Sequence, residues 1–327
     1  MKNKKIKIGT RGSKLALIQA EKVRDILIEE FPELNFELVI IKTKGDKILD
    51  SPLSKLNDKG LFTKELEKSL LKNETDLAVH SLKDLPTEFP ENLTLGAVLE
   101  RGEVRDVIIS RSRKKLQDLT GSDVFGTSSL RRRAQLLHYN SSFRIKDIRG
   151  NVDTRLKKLE EGFCDVLILA GAGVQRSGYS EKITEYIDPE IVMPSVSQGI
   201  IGIEFRMNDV FINGILRKIN HKKSFITASA ERTFLRTIEG GCQVPCGCIS
   251  TVSENTFSIK GMISDLEGRE VIKKSLAGPL ERADKIAGDL GKDILDAGGR
   301  EIFARIRDNG VQDWGSSIRG QYQHEEQ

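Results

Sequence analysis

The segment Gly126-Thr127-Ser128-Ser129-Leu130-Arg131-Arg132-Arg133 sets three consecutive arginines just inside a predicted helix that follows the apolar pair Val124-Phe125. Cations in a first turn oppose the helix dipole, which favours negative charge there. A clustered violation of a local preference points to function. Ser128 or Ser129 is the candidate N-cap. Backbone N–H groups, hydroxyls and guanidinium forks at one helix start are suited to holding an anion. Two other segments repeat the arrangement: Arg149-Gly150-Asn151-Val152-Asp153-Thr154-Arg155, and Lys7-Ile8-Gly9-Thr10-Arg11-Gly12-Ser13. Strand-to-helix junctions that each carry arginine imply a ligand with several negative groups.

A nucleophile and a carboxylate accompany these cations. Gly240-Gly241-Cys242-Gln243-Val244-Pro245 places a thiol on a glycine-rich turn just past a helix pattern. Glycines there expose the sulfur, and nearby cations favour the reactive thiolate. Cys242, Cys246 and Cys248 could instead bind a metal. Their C-x3-C-x-C spacing lacks a C-x2-C pair and a nearby histidine, and only Cys164 could add a fourth ligand. Cys164 precedes a strand pattern and reads as core. His80-Ser81-Leu82-Lys83-Asp84-Leu85-Pro86 ends another strand pattern, the place where open α/β sheets bind ligands. Lys83 and Asp84 offer a cation and a carboxylate, whereas His80, among apolar neighbours, reads as a satisfied core histidine. Residues 42–61 form a long polar stretch with Lys55 and Lys59 near its end, either a cationic lid or a solvated loop.

The bulk composition narrows the ligand. The chain has 327 residues and a net charge of +4, too small for a general polyanion binder. Residues 111–155, however, hold eleven Lys/Arg against four Asp/Glu. A local basic cleft for a small acidic ligand fits this better than a nucleic-acid surface. The aromatics of that stretch, Phe125, Tyr139 and Phe143, fall at apolar-patterned positions, which gives no stacking platform for single strands. Met-Lys-Asn-Lys-Lys is followed by a strand pattern and not by a signal-peptide run, and no apolar stretch reaches membrane-spanning length. A cytoplasmic protein with reduced cysteines is expected.

The elements that must position these residues follow from hydrophobic periodicity. Strand patterns at 6–10, 36–41, 77–80, 107–110, 123–126, 145–148, 166–170 and 200–206 alternate with helix patterns at 15–30, 62–71, 129–139 and 152–161. Such alternation implies parallel sheets covered on both faces. Arg101-Gly102-Glu103 reads as a hinge between two similar α/β units, and Pro194 to Gly199 as a second crossing. A helix at 224–238, alternating strands at 257–262 and 270–276 and a helix near 280–296 make a smaller separate α+β domain. The expected fold is two similar doubly wound lobes, like a periplasmic binding protein, around an active-site cleft. The expected division is 1–100 plus 198–218 for the first lobe, 101–197 for the second, 219–307 for the small domain carrying Cys242, and a polar tail at 308–327.

Taken in order, Thr10-Arg11-Gly12-Ser13, Lys59-Gly60-Leu61-Phe62, His80-Ser81-Leu82-Lys83-Asp84, Gly126-Thr127-Ser128-Ser129-Leu130-Arg131-Arg132, Ile148-Arg149-Gly150-Asn151-Val152 with Thr154-Arg155, Leu169-Ala170 through Gly173 and Arg176, and Gly240-Gly241-Cys242-Gln243-Val244-Pro245 closely resemble the porphobilinogen deaminase family over nearly the whole chain. The resemblance implies an enzyme that joins porphobilinogen molecules head to tail, four per product, into hydroxymethylbilane with loss of ammonia. It implies a dipyrromethane cofactor held by a thioether to Cys242, no metal, and a cytoplasmic monomer. It implies that Arg131, Arg132 and Arg155, with Ser81, Lys83, Asp84, Thr127, Ser128 and Ser129, hold the cofactor. Arg11, Ser13, Lys55, Lys59, Phe62, Arg149, Arg176 and Gln198 would hold substrate, and Asp84, Arg11, Lys83, Arg149 and Arg155 would carry the catalysis. Pyrroles bearing acetate and propionate are polyanions, which suits bidentate arginine. Three departures stand out: no Asp-Pro precedes Arg105-Asp106, Ser197 replaces a glycine before Gln198-Gly199, and Cys246 and Cys248 neighbour Cys242. Two other classes compete: a two-lobed anion-binding protein without chemistry, and a nucleic-acid binder whose affinity would fall steeply with salt.

Overall fold

The computed structural model describes residues 5–47, 60, 62–238 and 244–308. The chain begins with β1 (Lys5–Arg11), α1 (Lys14–Glu30), β2 (Asn35–Ile41), the short α2 (Lys44–Lys47), α3 (Lys64–Leu71), β3 (Leu77–Ser81) and β4 (Leu93–Val98). It crosses over and continues with β5 (Asp106–Ser110), β6 (Val124–Gly126), α4 (Leu130–Tyr139), β7 (Arg144–Lys146), α5 (Val152–Glu160), β8 (Val166–Ala170), α6 (Gly171–Arg176) and β9 (Glu185–Tyr186). It then returns through β10 (Ile201–Arg206) and α7 (Val210–Ile219). The final part is α8 (Lys222–Thr237), β11 (Cys246–Ser253), β12 (Thr256–Ser264), β13 (Val271–Pro279), α9 (Ala283–Ile294) and α10 (Arg300–Asp308).

Two five-stranded sheets have the orders β2-β1-β3-β10-β4 and β7-β6-β8-β5-β9, and a third sheet runs β11-β12-β13. In β1 the buried Ile6 and Ile8 alternate and meet Ala20, Val23 and Leu27 of α1, which recur at helical spacing. The second lobe repeats this logic with Ile108, Phe125, Val166 and Ile168 against Leu136. The small domain closes its antiparallel sheet with Phe234 of α8 and Leu290 and Ile294 of α9.

The expectation of parallel sheets needs correction. In each lobe, one strand runs against its neighbours: β10 is antiparallel to β3 and β4, and β5 is antiparallel to β8 and β9. Both are the first strand after a crossing, so each enters its sheet from the end where the crossings lie. Strand–helix alternation cannot reveal this, because a strand buried on both faces reads the same in either direction. Strand β4 and helix α7, absent from the expected elements, complete the first lobe. The two crossings lie side by side: the Gly102 N–H donates to the Gly199 carbonyl at 3.1 Å, and Arg101 Nε donates to the Gln198 carbonyl at 2.9 Å. Gly199 has φ of +87°, and a Cβ there would stand 2.8 Å from the Gly102 oxygen, so this close approach requires glycine. No helix of the described residues is long and apolar enough to cross a membrane.

Candidate active site

Two groups of side chains meet at Asp84, which lies in a 3-10 turn (Leu82–Asp84) directly after β3. The first group lines a small cleft of about 70 Å³ and includes Arg11, Ser13, Phe62, Ser81 and Asp84. The Arg11 guanidinium stacks 4.1 Å above the Phe62 ring. Ser13 is the N-cap residue of α1 without a side-chain capping bond, so its hydroxyl is not spent on the helix. The Ser81 hydroxyl pairs with the Gln19 amide at 2.9 Å.

The second group is cationic and lies at the neighbouring strand ends. Arg131 and Arg132 grip the two oxygens of Asp106 at 2.8 and 2.7 Å, all three side chains being buried. Arg131 also donates to the Met193 carbonyl, and Arg132 to the Ile168 carbonyl at 3.0 Å. Gln198 Nε2 donates to Asp106 at 3.0 Å and to the Val104 carbonyl at 2.8 Å. Its oxygen accepts from Lys83 Nζ at 3.4 Å. Burial pushes the Lys83 ammonium down to about 8. Asp84 and Asp106 pull it back, while Arg132 and Arg131 push it further. Burial, with Arg132 and Arg149 beside it, lowers Arg155 to about 10, and Asp84 opposes this. Lys83, Asp84, Asp106, Arg131, Arg132, Arg149 and Arg155 therefore share one electrostatic neighbourhood.

Local sequence explains the placement. Ser129, not Ser128, caps α4 by accepting from the Arg132 N–H at 3.4 Å. The Ser128 hydroxyl instead stitches two loops together, donating to the Ile148 carbonyl at 2.8 Å and accepting from the Ile148 N–H at 3.1 Å. Thr127 is buried and accepts from the Ser129 N–H. Asn151 caps α5 by accepting from the Thr154 N–H at 2.9 Å, and Arg155 Nε donates to the Gly150 carbonyl at 2.8 Å. This points Arg155 back over the turn that carries Arg149.

The expectation that the arginines of α4 form a helix-start anion site is revised in one respect. Arg131 and Arg132 already have a buried counter-ion in Asp106, and Arg133 turns away to bond Glu267 of the small domain at 3.0 Å. Asp106 is the residue that sequence reasoning missed. Its signal was there: an aspartate heading the apolar strand Asp-Val-Ile-Ile is costly to bury as a charge unless cations or several donors meet it. Arg176 is not in the cluster; it donates to the Gly199 carbonyl at 2.6 Å and so braces the second crossing. His80 is buried against Glu204 at 3.0 Å, a core pair as expected. Cys164 is core as well, its thiol raised to about 11 by burial. Cys248 is fully buried in the small domain and burial raises its thiol well above the ordinary value, which makes it a poor nucleophile. Lys55, Lys59 and Cys242 lie outside the described residues, as do most of the 42–61 loop and the tail from 309.

The family model described as "Porphobilinogen deaminase, dipyromethane cofactor binding domain" matches residues 6–214, and that described as "Porphobilinogen deaminase, C-terminal domain" matches residues 225–296. The chain belongs to the porphobilinogen deaminase family. Among curated relatives, the porphobilinogen deaminase of Desulforudis audaxviator is 45% identical over 93% of this chain and 98% of its own length. That of Pelotomaculum thermopropionicum is 46% identical over 93% of this chain and 97% of its own length. Among solved structures, the VFT2 domain of Bordetella pertussis BvgS aligns with a TM-score of 0.41 at 15% identity, covering 69% of this chain and 92% of that chain. The aliphatic sulphonate binding protein SsuA of Escherichia coli aligns with a TM-score of 0.36 at 13% identity, covering 72% of this chain and 71% of that one. The family carries a dipyrromethane cofactor domain, and residues 6–214 hold the whole cationic cluster.

Proposed function

We propose that this chain condenses four porphobilinogen molecules head to tail into hydroxymethylbilane for tetrapyrrole biosynthesis, with Asp84 as the catalytic carboxylate. The observation that carries the reading is the position of Asp84 at the junction of the Arg11 cleft and the cation cluster. The cluster fits a polycarboxylate such as dipyrromethane. Within it Arg132 Nε is buried without a hydrogen-bond partner among the described residues, and the charged forms of Lys83 and Arg155 are disfavoured by burial first and by neighbouring cations second. An arriving carboxylate relieves both conditions. Cys242 would tether the group, and Lys83, Arg131, Arg132, Arg155, Thr127 and Ser129 would hold its carboxylates and rings, with Ser81 near Asp84. Ser128 contributes through the loop it stitches. When bound, the dipyrromethane supplies the pyrrole to which the first substrate is joined.

The chain's own groups then have defined tasks. Arg11, Ser13, Phe62 and Arg149, with Lys55, Lys59 and Gln198, receive the carboxylates and ring of incoming porphobilinogen. Arg176 braces the crossings between lobes as product length changes. Asp84 faces the positive charge that develops on substrate when its C–N bond breaks and ammonia leaves. It also takes the proton lost once the new C–C bond forms. The domain division at 1–100 plus 198–218, 101–197 and 219–307 is part of this reading, supported by one sheet falling in each part. So are a cytoplasmic monomer and the absence of nucleic acid or membrane from its work.

The testing experiment is intact mass of wild type and Cys242→Ser, followed by turnover of Asp84→Asn. An adduct of two linked pyrroles in wild type that is missing in Cys242→Ser supports the tether. Asp84→Asn should keep the adduct and lose at least about 100-fold in kcat, the usual scale of a general acid–base group. Near-normal turnover in that variant removes Asp84 from the role. An unmodified wild type, even after incubation with porphobilinogen, favours a binding protein without chemistry.

A further inference from the structure

Helix α8 belongs to the small domain, yet it reaches across to the turn that bears Asp84. Arg232 Nη1 donates to the Leu85 carbonyl at 3.1 Å, and Arg232 Nη2 donates to the Pro86 carbonyl. One turn further along, Arg236 Nη1 donates to the Thr87 carbonyl at 3.4 Å and is steadied by Thr233. The three consecutive carbonyls after Asp84 are thus held by a single helix face. Arg232 is only 4% exposed, and its guanidinium sits 5.0 Å from the centre of the Phe89 ring. No salt bridge to a carboxylate is formed by Arg232 among the described residues, which is unusual for a guanidinium so deeply placed. Burial first, and then Arg236, lower it to about 10, with Glu204 only partly opposing. A buried arginine kept for carbonyls alone implies a positional task, because an apolar residue would fill the volume at less electrostatic cost.

The task follows from what lies at each end. In sequence, Cys242 follows the last residue of α8 by five positions. On its flank the same helix grips the backbone immediately after Asp84. We propose that Arg232 is a positioning residue that holds the Asp84 turn in register with the helix leading to the cofactor-attachment cysteine. The inference rests on Asp84 being the catalytic carboxylate. Two donors in a fixed planar fork define both the distance and the rotation of the turn, which a lysine cannot do. A displacement of about 1 Å at a reacting group can cost about 100-fold in rate.

The test uses the full-length holoenzyme with Arg232→Gln, Arg232→Lys, Arg232→Gly and Asp84→Asn assayed together. Arg232→Gln should keep the pyrrole adduct by mass and hold KM for porphobilinogen within about twofold, while kcat falls about 10- to 100-fold. Arg232→Lys should show the same split at smaller amplitude. Methylguanidinium should restore part of the kcat of Arg232→Gly. A merely structural arginine would lower the melting temperature and the active fraction without this kcat-specific loss or rescue. If Arg232→Gln does not fold, Arg232→Lys and the rescue experiment decide. Wild-type kcat in folded, adduct-bearing Arg232 variants, with Asp84→Asn inactive, overturns the inference alone. An active Asp84→Asn overturns the reading beneath it as well.

Discussion

Asp106→Asn probes the electrostatic centre of the site. Asp106 is fully buried and receives Arg131 at 2.8 Å, Arg132 at 2.7 Å and Gln198 at 3.0 Å. Asparagine keeps the shape but leaves two adjacent guanidiniums in the interior without a counter-charge. Breaking a buried pair from one side costs about 3–5 kcal/mol. At about 2–4 °C per kcal/mol for a cooperative unit of about 150–250 residues, the size of the two lobes together, the melting temperature should fall by about 6–20 °C. The assay is urea unfolding of the cofactor-free Cys242→Ser background, read through the midpoint at constant m. Burial by itself would raise the Asp106 carboxyl, but the charges and hydrogen bonds of Arg131 and Arg132 outweigh it and hold the group well below the ordinary value of 3.8. A depressed carboxylate contributes stability above its unfolded pKa and loses it as pH falls through the folded one. The stability lost in Asp106→Asn should therefore be full from about pH 5 to 8 and shrink only below about pH 4. A penalty under about 1 kcal/mol at pH 7, with both arginines still buried, would refute the ion-pair account.

Other consequences are equally direct. Ser197 adopts φ of +61° and its hydroxyl is buried without a partner among the described residues, so Ser197→Gly should stabilise the protein by about 1 kcal/mol despite glycine's greater chain entropy; a lower urea midpoint would contradict this. Lys83, lowered to about 8, should lose most of its charge between pH 7 and pH 9. Binding of a benzene tetracarboxylate to Cys242→Ser should weaken by up to about tenfold over that range, and Lys83→Met should flatten the profile; an unchanged profile in Lys83→Met would assign the titration elsewhere. By linkage, a depressed lysine leaves the unfolded chain with more protons, so this group adds stability as pH rises from about 8 towards 10.5.

The alternation of elements, the two crossings, the small final domain and the family were legible in the amino-acid order, because these rest on local periodicity and on short motifs in fixed order. That order also singled out Lys83-Asp84 and the arginines of α4 and α5, since a strand end followed by a capped helix start is a local event. What those groups face emerges only when the lobes and the small domain pack together. Asp106 meets Arg131 and Arg132 through strand pairing, with β5 entering its sheet antiparallel from the crossing. Arg176 turns to the crossings and not to the cluster, and Ser128 spends its hydroxyl on Ile148. Arg232 reaches the turn after Asp84 from more than a hundred residues away. Such pairings depend on which surfaces are buried against each other, and a buried charge finds its partner in space, where sequence periodicity carries no record of it.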